Sequence, residues 1–498
     1  MRNRVSAAVL LLTLAAPSAM AQATAPAFDA KPLESGSFTP PAAQPSAPAP
    51  TTTAPQAVQP EAAPAPKKKK VVKAPPPRER GVITDDPTPS FSADTARLTA
   101  EAAQRYRAIA ERGGWPALPV GTRLSLGAKG PAVALLRERL MAEGDLEPGA
   151  AGKTFDKPLQ DAVKRYQQRN GLARSGTVAG ATLAAMNIPA DVRARQLEQS
   201  ALRLNDRTFG FGPRYVVVNI PSASVEAIEN GTVTRRYVAV VGKPENASPT
   251  VEAKIGTVNI NPTWTLPTSI IKNEIIPKMR KDPGYLARSN IRILDRSGNT
   301  VAPGSIDWNG NNAVNYTLRQ DSGARNALGQ IRIDMPNRDA VYMHDTPSKK
   351  YFAAQDRFYS HGCVRVQDVR SFAAWLLEGT AGVWDKPAID AAIAIGERKD
   401  VRLAKSVPVA WVYMTGYVTD DGKVHFRDDV YSLDTGQAAQ VAASKRQMRQ
   451  AAREAQRITE ATGSVPPGAP MPTAGPGATG QMIDPPVPEN GRRGWLWW

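Results

Sequence analysis

Proline is distributed unevenly along the chain, and this limits where a folded core can form. Residues 22–90 hold many of the 44 prolines together with Ala, Thr and Ser, and the runs Pro40–Pro41 and Pro75–Pro77 favour extended polyproline II segments. This composition buries too little apolar surface to fold, which predicts a disordered Pro/Ala-rich linker. Residues 435–498 are predicted to form a charged helix and a disordered Pro/Gly-rich tail. The folded part is therefore expected between residues 91 and 434.

The first 21 residues have the pattern of a signal peptide. Arg2 and Arg4 precede a short apolar run from Val5 to Ala16, and Ala19-Met20-Ala21 fits a small-residue cleavage site. The run is too short to span a bilayer comfortably, and no later segment is long and apolar enough for a transmembrane helix. We therefore expect an exported protein with no transmembrane segment after cleavage.

The chain is strongly basic, with a formal net charge of +17. For an exported protein, nucleic acid is an unlikely partner, whereas an anionic polymer of the cell envelope matches the charge. The single cysteine excludes an intramolecular disulfide and a Cys-rich metal site. With only three histidines, His344, His361 and His425, a metal centre is not expected.

Hydrophobic periodicity predicts helices in the first part of the folded region. Residues 91–121 read as a helical lead-in, 122–188 as a compact three-helix unit, and 189–213 as a helical connector. The helix faces predicted to form the core of the three-helix unit consist of Val133, Leu136 and Leu140, and of Leu159, Val163 and Tyr166.

After Pro213 the pattern changes from helix to strand. Short β-branched runs follow one another, and Asn230-Gly231 and Asp421-Gly422 are two-residue hairpin signals. Residues 214–434 are predicted to form one mainly β domain with a long insertion at about 268–330. The whole chain is thus predicted to be an α+β multidomain protein.

The sole cysteine lies in the segment Ser360-His361-Gly362-Cys363-Val364-Arg365. A nearby imidazole and arginine favour the thiolate, which is the reactive form of cysteine. Glycine before a nucleophile lets the backbone take a strained turn and present N–H groups to a substrate oxygen. We therefore expect Cys363 to be a nucleophile and not an inert core residue.

A nucleophilic cysteine also needs a base. His344, in "AVYMHDTP", lies 19 residues earlier on a neighbouring predicted strand, so a strand end and the following turn could bring the two together. His361 is the alternative, although its side chain could equally point away. We expect His344 to be the base, His361 to be a donor that shapes the pocket, and His425 to be an ordinary surface residue.

Two parts of the sequence resemble known families. "LQDAVKRYQQRNGL" followed by "GTVAGATLAAMNI" resembles the peptidoglycan-binding domain of cell-wall enzymes. "SHGCVR" with the upstream "HDTPS" resembles the L,D-transpeptidase catalytic domain, the YkuD-like fold. Segments such as "KIGTVNINPTWTLPTSIIKNEIIPKM" resemble the larger, Gram-negative branch of that family. In that branch the insertion caps the substrate groove. For an exported protein of the Gram-negative branch, the resemblance implies a periplasmic location.

The resemblance implies a reaction without a cofactor. Cys363 would attack the bond between meso-diaminopimelate and D-Ala in a tetrapeptide stem of peptidoglycan, and His344 would accept the thiol proton. An amine of a second stem would then resolve the thioester into a cross-link, as part of cell-wall biogenesis and cell-shape maintenance. Carbapenems would acylate the same thiol.

The resemblance also assigns supporting residues. Backbone N–H groups near Gly362 and Cys363 would hold the oxyanion, and the Asp345 carbonyl would orient the imidazole. Ser360 and Arg365 would hold the catalytic loop, and Arg365 could also contact a substrate carboxylate. Two aromatic residues, Trp264 and Tyr342, would line the groove.

Three alternatives stay open at this point. Water in place of the second amine would make the protein an L,D-carboxypeptidase. The N-terminus of an outer-membrane protein could replace the acceptor stem. A non-catalytic wall-binding protein would use only the helical unit and its charge, although the presence of both His344 and Cys363 argues against this.

Overall fold

The computed structural model describes residues 81–149 and 152–435. The predicted signal peptide, most of the predicted linker, and nearly all of the predicted C-terminal helix and tail lie outside these residues. Within the described ranges, no helix is both long and apolar enough to cross a membrane.

All the regular secondary structure up to residue 205 in the described part of the chain is helical. The helices are α1 (Thr95–Glu111), α2 (Pro131–Ala142), α3 (Lys157–Arg169), α4 (Gly180–Met186) and α5 (Ala190–Asn205). All six apolar side chains that the periodicity assigns to the three-helix core are fully buried between α2, α3 and α4, so this prediction is confirmed. Asp156 caps α3 by accepting a hydrogen bond from the Leu159 amide at 3.0 Å.

The mainly β domain that follows is built on one large sheet. Its strands are β1 (Arg214–Asn219), β2 (Ser224–Glu229), β3 (Thr232–Gly242), β4 (Val251–Ile260), β9 (Ile331–Asp334), β10 (Met343–His344), β11 (Phe358–Ser360), β12 (Val364–Val366) and β13 (Lys399–Val412). They lie in the order β11-β3-β12-β10-β9-β4-β13-β1-β2, and because β3 also pairs with β2 the sheet closes on itself.

The core of this domain lies between the sheet and two helices, α9 (Val369–Leu377) and α10 (Lys386–Ala394). Successive side chains of a strand point to opposite faces, and β1 is buried on both: Val216 and Val218 lie in this core, whereas Tyr215 and Val217 lie in a second core on the other face. The hairpin predicted at Asn230-Gly231 is confirmed between β2 and β3. Both turn residues have positive φ, +49° and +77°, as a tight two-residue turn of this kind needs.

The insertion forms a separate small layer with its own core, and we call residues 264–320 the cap. It contains a four-stranded sheet in the order β5 (Trp264–Thr265), β8 (Thr317–Gln320), β6 (Ile291–Leu294) and β7 (Thr300–Val301). Its helical part comprises α6 (Thr268–Ile270), a π-helical turn (Ile271–Ile275), α7 (Ile276–Lys281) and α8 (Tyr285–Arg288). Buried isoleucines from the helices and from β6 form the core of the cap.

Residues 81–90 have a defined structure, which the Pro-rich composition of this part of the sequence does not predict. The segment 81–90, which we call the strap, was expected to belong to the disordered linker, yet it lies against the folded domains. The Val82 amide donates to the Gly171 carbonyl at 3.1 Å, and Arg236 donates to the Thr88 carbonyl at 2.7 Å. Hydrogen bonds to the strap backbone hold it in place although it has few apolar side chains to bury. The composition averaged over the whole Pro-rich segment does not reveal these bonds.

The second predicted hairpin, β14 (Gly416–Val418) and β15 (Val424–Phe426), packs under α1 and α5. It turns at Asp421-Gly422 as predicted, with the Gly422 amide donating to the Thr419 carbonyl at 2.8 Å. The hairpin thereby joins the helical region to the sheet.

Candidate active site

Three neighbouring strands place an imidazole between two arginines. His344 on β10 is opposite Arg365 on the parallel strand β12, and opposite Arg332 on the antiparallel strand β9. The adjacent residues Met343 and Val364 are fully buried in the core. Because successive side chains on a strand point to opposite faces, the imidazole and both guanidinium groups share the other face.

Cys363 comes immediately before β12, on the same face as His344. The Val364 amide donates to the Tyr342 carbonyl at 3.1 Å, which aligns Cys363 with Tyr342. The Tyr342 hydroxyl donates a hydrogen bond to the Cys363 thiol and also bonds to Trp264. The Tyr342 and His344 ring centroids are 5.7 Å apart. The structure therefore brings together the thiol, the imidazole and both aromatic residues expected in the groove.

Residues 360–363, which we call the thiol loop, are held by hydroxyl groups. Ser360 Oγ donates to the Cys363 carbonyl and accepts from the Gly362 amide at 3.2 Å. Ser248 Oγ donates to the Gly362 carbonyl at 2.8 Å. Gly362 has a φ of +112°, a conformation that side-chain-bearing residues rarely adopt. Since the Gly362 amide already has a partner, the Cys363 amide is the better placed of the two for an incoming oxygen.

Burial dominates the electrostatics of the thiol and the imidazole. Burial raises the pKa of the Cys363 thiol to about 11, although Tyr342, Arg365 and Arg332 act in the opposite direction. Burial, followed by the charge of Arg365, lowers the pKa of His344 to about 3. Both groups are thus neutral near pH 7. Arg365 favours the thiolate, as expected from the sequence, but desolvation outweighs its charge and leaves the thiol pKa above its ordinary value.

This geometry agrees with the family comparison. Residues 213–388 match the YkuD family model, described as "L,D-transpeptidase catalytic domain". The chain carries an L,D-transpeptidase catalytic domain of the YkuD family. Residues 129–186, within the three-helix unit, match the model of a "Putative peptidoglycan binding domain".

Individual proteins with similar sequence or structure were also found. A curated protein of Haemophilus influenzae named "Putative L,D-transpeptidase" is 34% identical over 220 residues, which cover 44% of this chain and 44% of that protein. The chain thus matches less than half of that relative's length. Two solved structures are similar to this chain. An L,D-transpeptidase from Xylanimonas cellulosilytica is 17% identical, with 59% of this chain and 98% of that chain covered and a TM-score of 0.18. An L,D-transpeptidase from Stackebrandtia nassauensis is 13% identical, with 54% of this chain and 94% of that chain covered and a TM-score of 0.22.

The backbone around His344 in the transpeptidase domain is tightly fixed. The nearby backbone of Asp345 and Leu328 raises the pKa of His344 against the effect of burial, but His344 Nδ1 is buried and has no partner at hydrogen-bond distance among the described residues. The Asp345 carboxylate accepts from the Gln330 amide at 3.1 Å and pairs with Lys349. A Cβ at Gly329, where φ is +62°, would overlap the Asp345 side chain. These contacts fix the Asp345 side chain, whereas the expected orienting role of its carbonyl stays a prediction.

Two residues near the thiol of the transpeptidase domain were not anticipated from the sequence. Arg332 lies with its guanidinium carbon 5.0 Å from the centre of the Tyr342 ring. Glu274, in the cap, has its Oε1 2.7 Å from His361 Nε2. The alternation in "QIRIDMPN" could have indicated that Arg332 faces away from the core, whereas no local signal connects Glu274 with the thiol loop.

The third histidine of the chain is not a surface residue, which corrects the expectation for His425. Its side chain is buried in the β14–β15 hairpin, stacks on Tyr417 with ring centroids 4.9 Å apart, and lies 3.1 Å from Thr419 Oγ1. Burial lowers its pKa to about 3. Its position beside Tyr417, Thr419 and the strap, away from the thiol, indicates a structural role.

Proposed function

We propose that this protein is a peptidoglycan L,D-transpeptidase that joins meso-diaminopimelate residues of neighbouring stems through a cysteinyl thioester. The observation that carries the proposal is the alignment of one half-buried thiol, Cys363, beside a neutral imidazole, His344, in a YkuD-family domain. A neutral imidazole is the protonation state that a general base requires.

The first half-reaction follows from these protonation states. Cys363 Sγ attacks the carbonyl carbon of the bond between meso-diaminopimelate and D-Ala while His344 accepts the thiol proton, so no free thiolate accumulates. The Cys363 amide donates to the oxyanion, a contribution that is typically about 3 kcal/mol. His344 then returns the proton to the nitrogen of the departing D-Ala, and a thioester remains.

The second half-reaction repeats the proton transfers with a different nucleophile. The side-chain amine of a second stem attacks the thioester carbonyl, His344 removes a proton from that amine, and the thiol departs and is reprotonated. The two arginines beside His344 disfavour an imidazolium in the resting site. They thereby favour return of His344 to its neutral form after each cycle.

The accessory regions suit an insoluble polymeric substrate. We propose that the three-helix unit at 122–188 contacts peptidoglycan, supported by its family match. The pattern in residues 1–21 supports export to the periplasm, where peptidoglycan is available. The Arg- and Lys-rich composition favours association with an anionic polymer.

Muropeptide mass spectrometry tests the proposal. Mature protein incubated with tetrapeptide-rich sacculi should release D-Ala and form dimers cross-linked between two diaminopimelate residues, whereas Cys363→Ala should form none. Tripeptides without dimers would instead identify a carboxypeptidase. Peptidoglycan fragments attached to an added outer-membrane protein would identify a protein acceptor. Sacculi that bind the enzyme but remain chemically unchanged would identify a wall-binding protein.

A further inference from the structure

A carboxylate of the cap lies against the thiol loop. Glu274 Oε1 lies 2.7 Å from Nε2 of His361, which is two residues before the nucleophile. The other Glu274 oxygen lies 3.6 Å from Lys278 Nζ, and the charge of Glu274 also reaches Arg365. Hydrogen bonding with His361 lowers the pKa of Glu274, so the carboxylate is ionised at neutral pH.

A local irregularity of the cap helix places this carboxylate. Between α6 and α7 the Ile276 amide donates to the carbonyl of Ile271, five residues back, which makes one π-helical turn. Pro277 follows; it has no N–H group, and its ring disfavours a regular α-helix at this point. Single π-turns of this kind often occur at functional sites. Glu274 lies within this turn, on a segment anchored by the buried side chains of Ile271 and Ile275.

The thiol loop needs support on the side that faces the cap. Its strand side is fixed by Ser360 and Ser248, but Gly362 gives its backbone freedom. The side chains of His361 and Glu274 are 41% and 33% exposed, so their pairing adds little to the stability of the fold. An interaction that is weak for stability, yet lies two residues from the nucleophile, is better explained by positioning of the loop.

We propose that Glu274 is a positioning residue of the transpeptidase site. It holds the His361 ring, and through it the thiol loop, in the geometry for attack, and it keeps the cap over that loop. This inference rests on the proposed function, because positioning matters only if Cys363 is the nucleophile.

The test compares Glu274→Gln and Glu274→Asp with a matched control. Asp321→Asn is the same kind of neutralisation one residue beyond the cap, and it removes the exposed ion pair with Arg292 of the cap. We expect Glu274→Gln to lower kcat for thioester formation about tenfold, the size of one charge-assisted hydrogen bond that is partly exposed. The kcat of Glu274→Asp should lie between those of Glu274→Gln and wild type, and the kcat of Asp321→Asn should stay within about twofold of wild type. All three variants should keep the wild-type urea midpoint.

A double-mutant cycle completes the test. His361→Gln should cause a similar loss, and the double variant with Glu274→Gln should lose no more than either single variant. Additive losses, unchanged kcat in a folded Glu274→Gln protein, or a gain in activity from an opened cap would each overturn the proposal.

A readout that needs no substrate separates this inference from the proposed function. Hydrogen exchange in a peptide that covers residues 360–366 should be faster in Glu274→Gln than in wild type and in Asp321→Asn. Wild-type protein without transpeptidase activity would refute the proposed function, whereas unchanged exchange in Glu274→Gln would refute the positioning role alone.

Discussion

Alkylation of Cys363 by iodoacetamide should follow the pH dependence of a buried, neutral thiol. Burial raises its pKa from 9.0 to about 11, and each pKa unit corresponds to about 1.4 kcal/mol, so the folded site disfavours the thiolate by about 3 kcal/mol. At pH 7.5 this leaves about 0.03% thiolate. Because the chain has one cysteine, every adduct reports this site.

The assay measures the alkylation rate by intact-protein mass spectrometry from pH 6 to pH 10. The rate should rise about tenfold per pH unit with no plateau, since only the thiolate reacts. The same protein unfolded in urea should level off near the ordinary cysteine pKa, which controls for the reagent. A plateau at or below pH 7 in the folded protein would show a preformed thiolate–imidazolium pair and refute the neutral resting state.

Arg365→Gln extends this experiment to the charges around the thiol. The Arg365 guanidinium lowers the thiol pKa against the effect of burial, so its removal should slow alkylation at pH 8. Arg292→Gln, in the exposed pair of the cap, is the matched control and should leave the rate unchanged. Faster alkylation in Arg365→Gln would mean that access to the thiol, and not its pKa, limits the reaction.

Three further outcomes are expected. Gly362→Ala should lower kcat at least about tenfold and cost about 1–2 kcal/mol of stability, because its φ of +112° is strained for alanine; kinetics and urea unfolding measure the two effects. The pKa of His425 is about 3 in the folded protein and near 6.5 in the unfolded chain. Between pH 6.5 and pH 4.5, wild type should therefore lose about 2 kcal/mol more free energy of unfolding than His425→Gln, measured by urea unfolding. Equal losses would contradict the burial of His425. A carbapenem should give one covalent adduct, mapped to Cys363 by mass spectrometry, and an adduct on a serine would exclude the proposed nucleophile.

Features set by neighbouring residues were predictable from the sequence. The helix faces that include Leu136 and Leu159, and the turn at Asn230-Gly231, depend on local spacing and local backbone preference, and the structure has them as predicted. The juxtaposition of Cys363 and His344 was also within reach, because a short strand and the following turn limit where residues 19 apart can lie.

Features that depend on the pairing of distant segments were not predictable. Arg332 reaches His344 only because β9 pairs with β10 in one particular register, and a shift of one residue would turn it into the core. Glu274 meets His361 across 87 residues of chain through the cap fold. The burial of His425 follows from its stacking on Tyr417 and from the strap, which lies beside it more than 300 residues earlier in the chain, and no local pattern encodes this.

The three-helix unit could act only by concentrating the enzyme on its substrate, or it could also stabilise the catalytic domain. Its contacts with the β domain distinguish the two roles. Arg427 donates to the Arg169 carbonyl at 2.8 Å, and Arg169 donates to the Val424 carbonyl at 3.3 Å, so the C-terminal end of α3 and the hairpin of the β domain hold each other. Arg169 is buried and paired with Asp145. Removing one side of a buried, charged contact typically costs several kcal/mol.

Deleting 122–188 should therefore lower the urea midpoint of the remaining chain and reduce activity on soluble stem fragments as well as on sacculi. Arg427→Ala should reproduce part of the loss in stability while leaving the three-helix unit in place, because it removes the contact with the Arg169 carbonyl together with the Arg427 hydrogen bond to Ser222. If the deleted protein instead unfolds at the wild-type urea concentration and keeps full activity on soluble fragments, the unit acts only by raising the local concentration of enzyme at the wall. The hydrogen bonds of Arg427 and Val424 with Arg169 favour the first outcome, in which the unit also braces the catalytic domain.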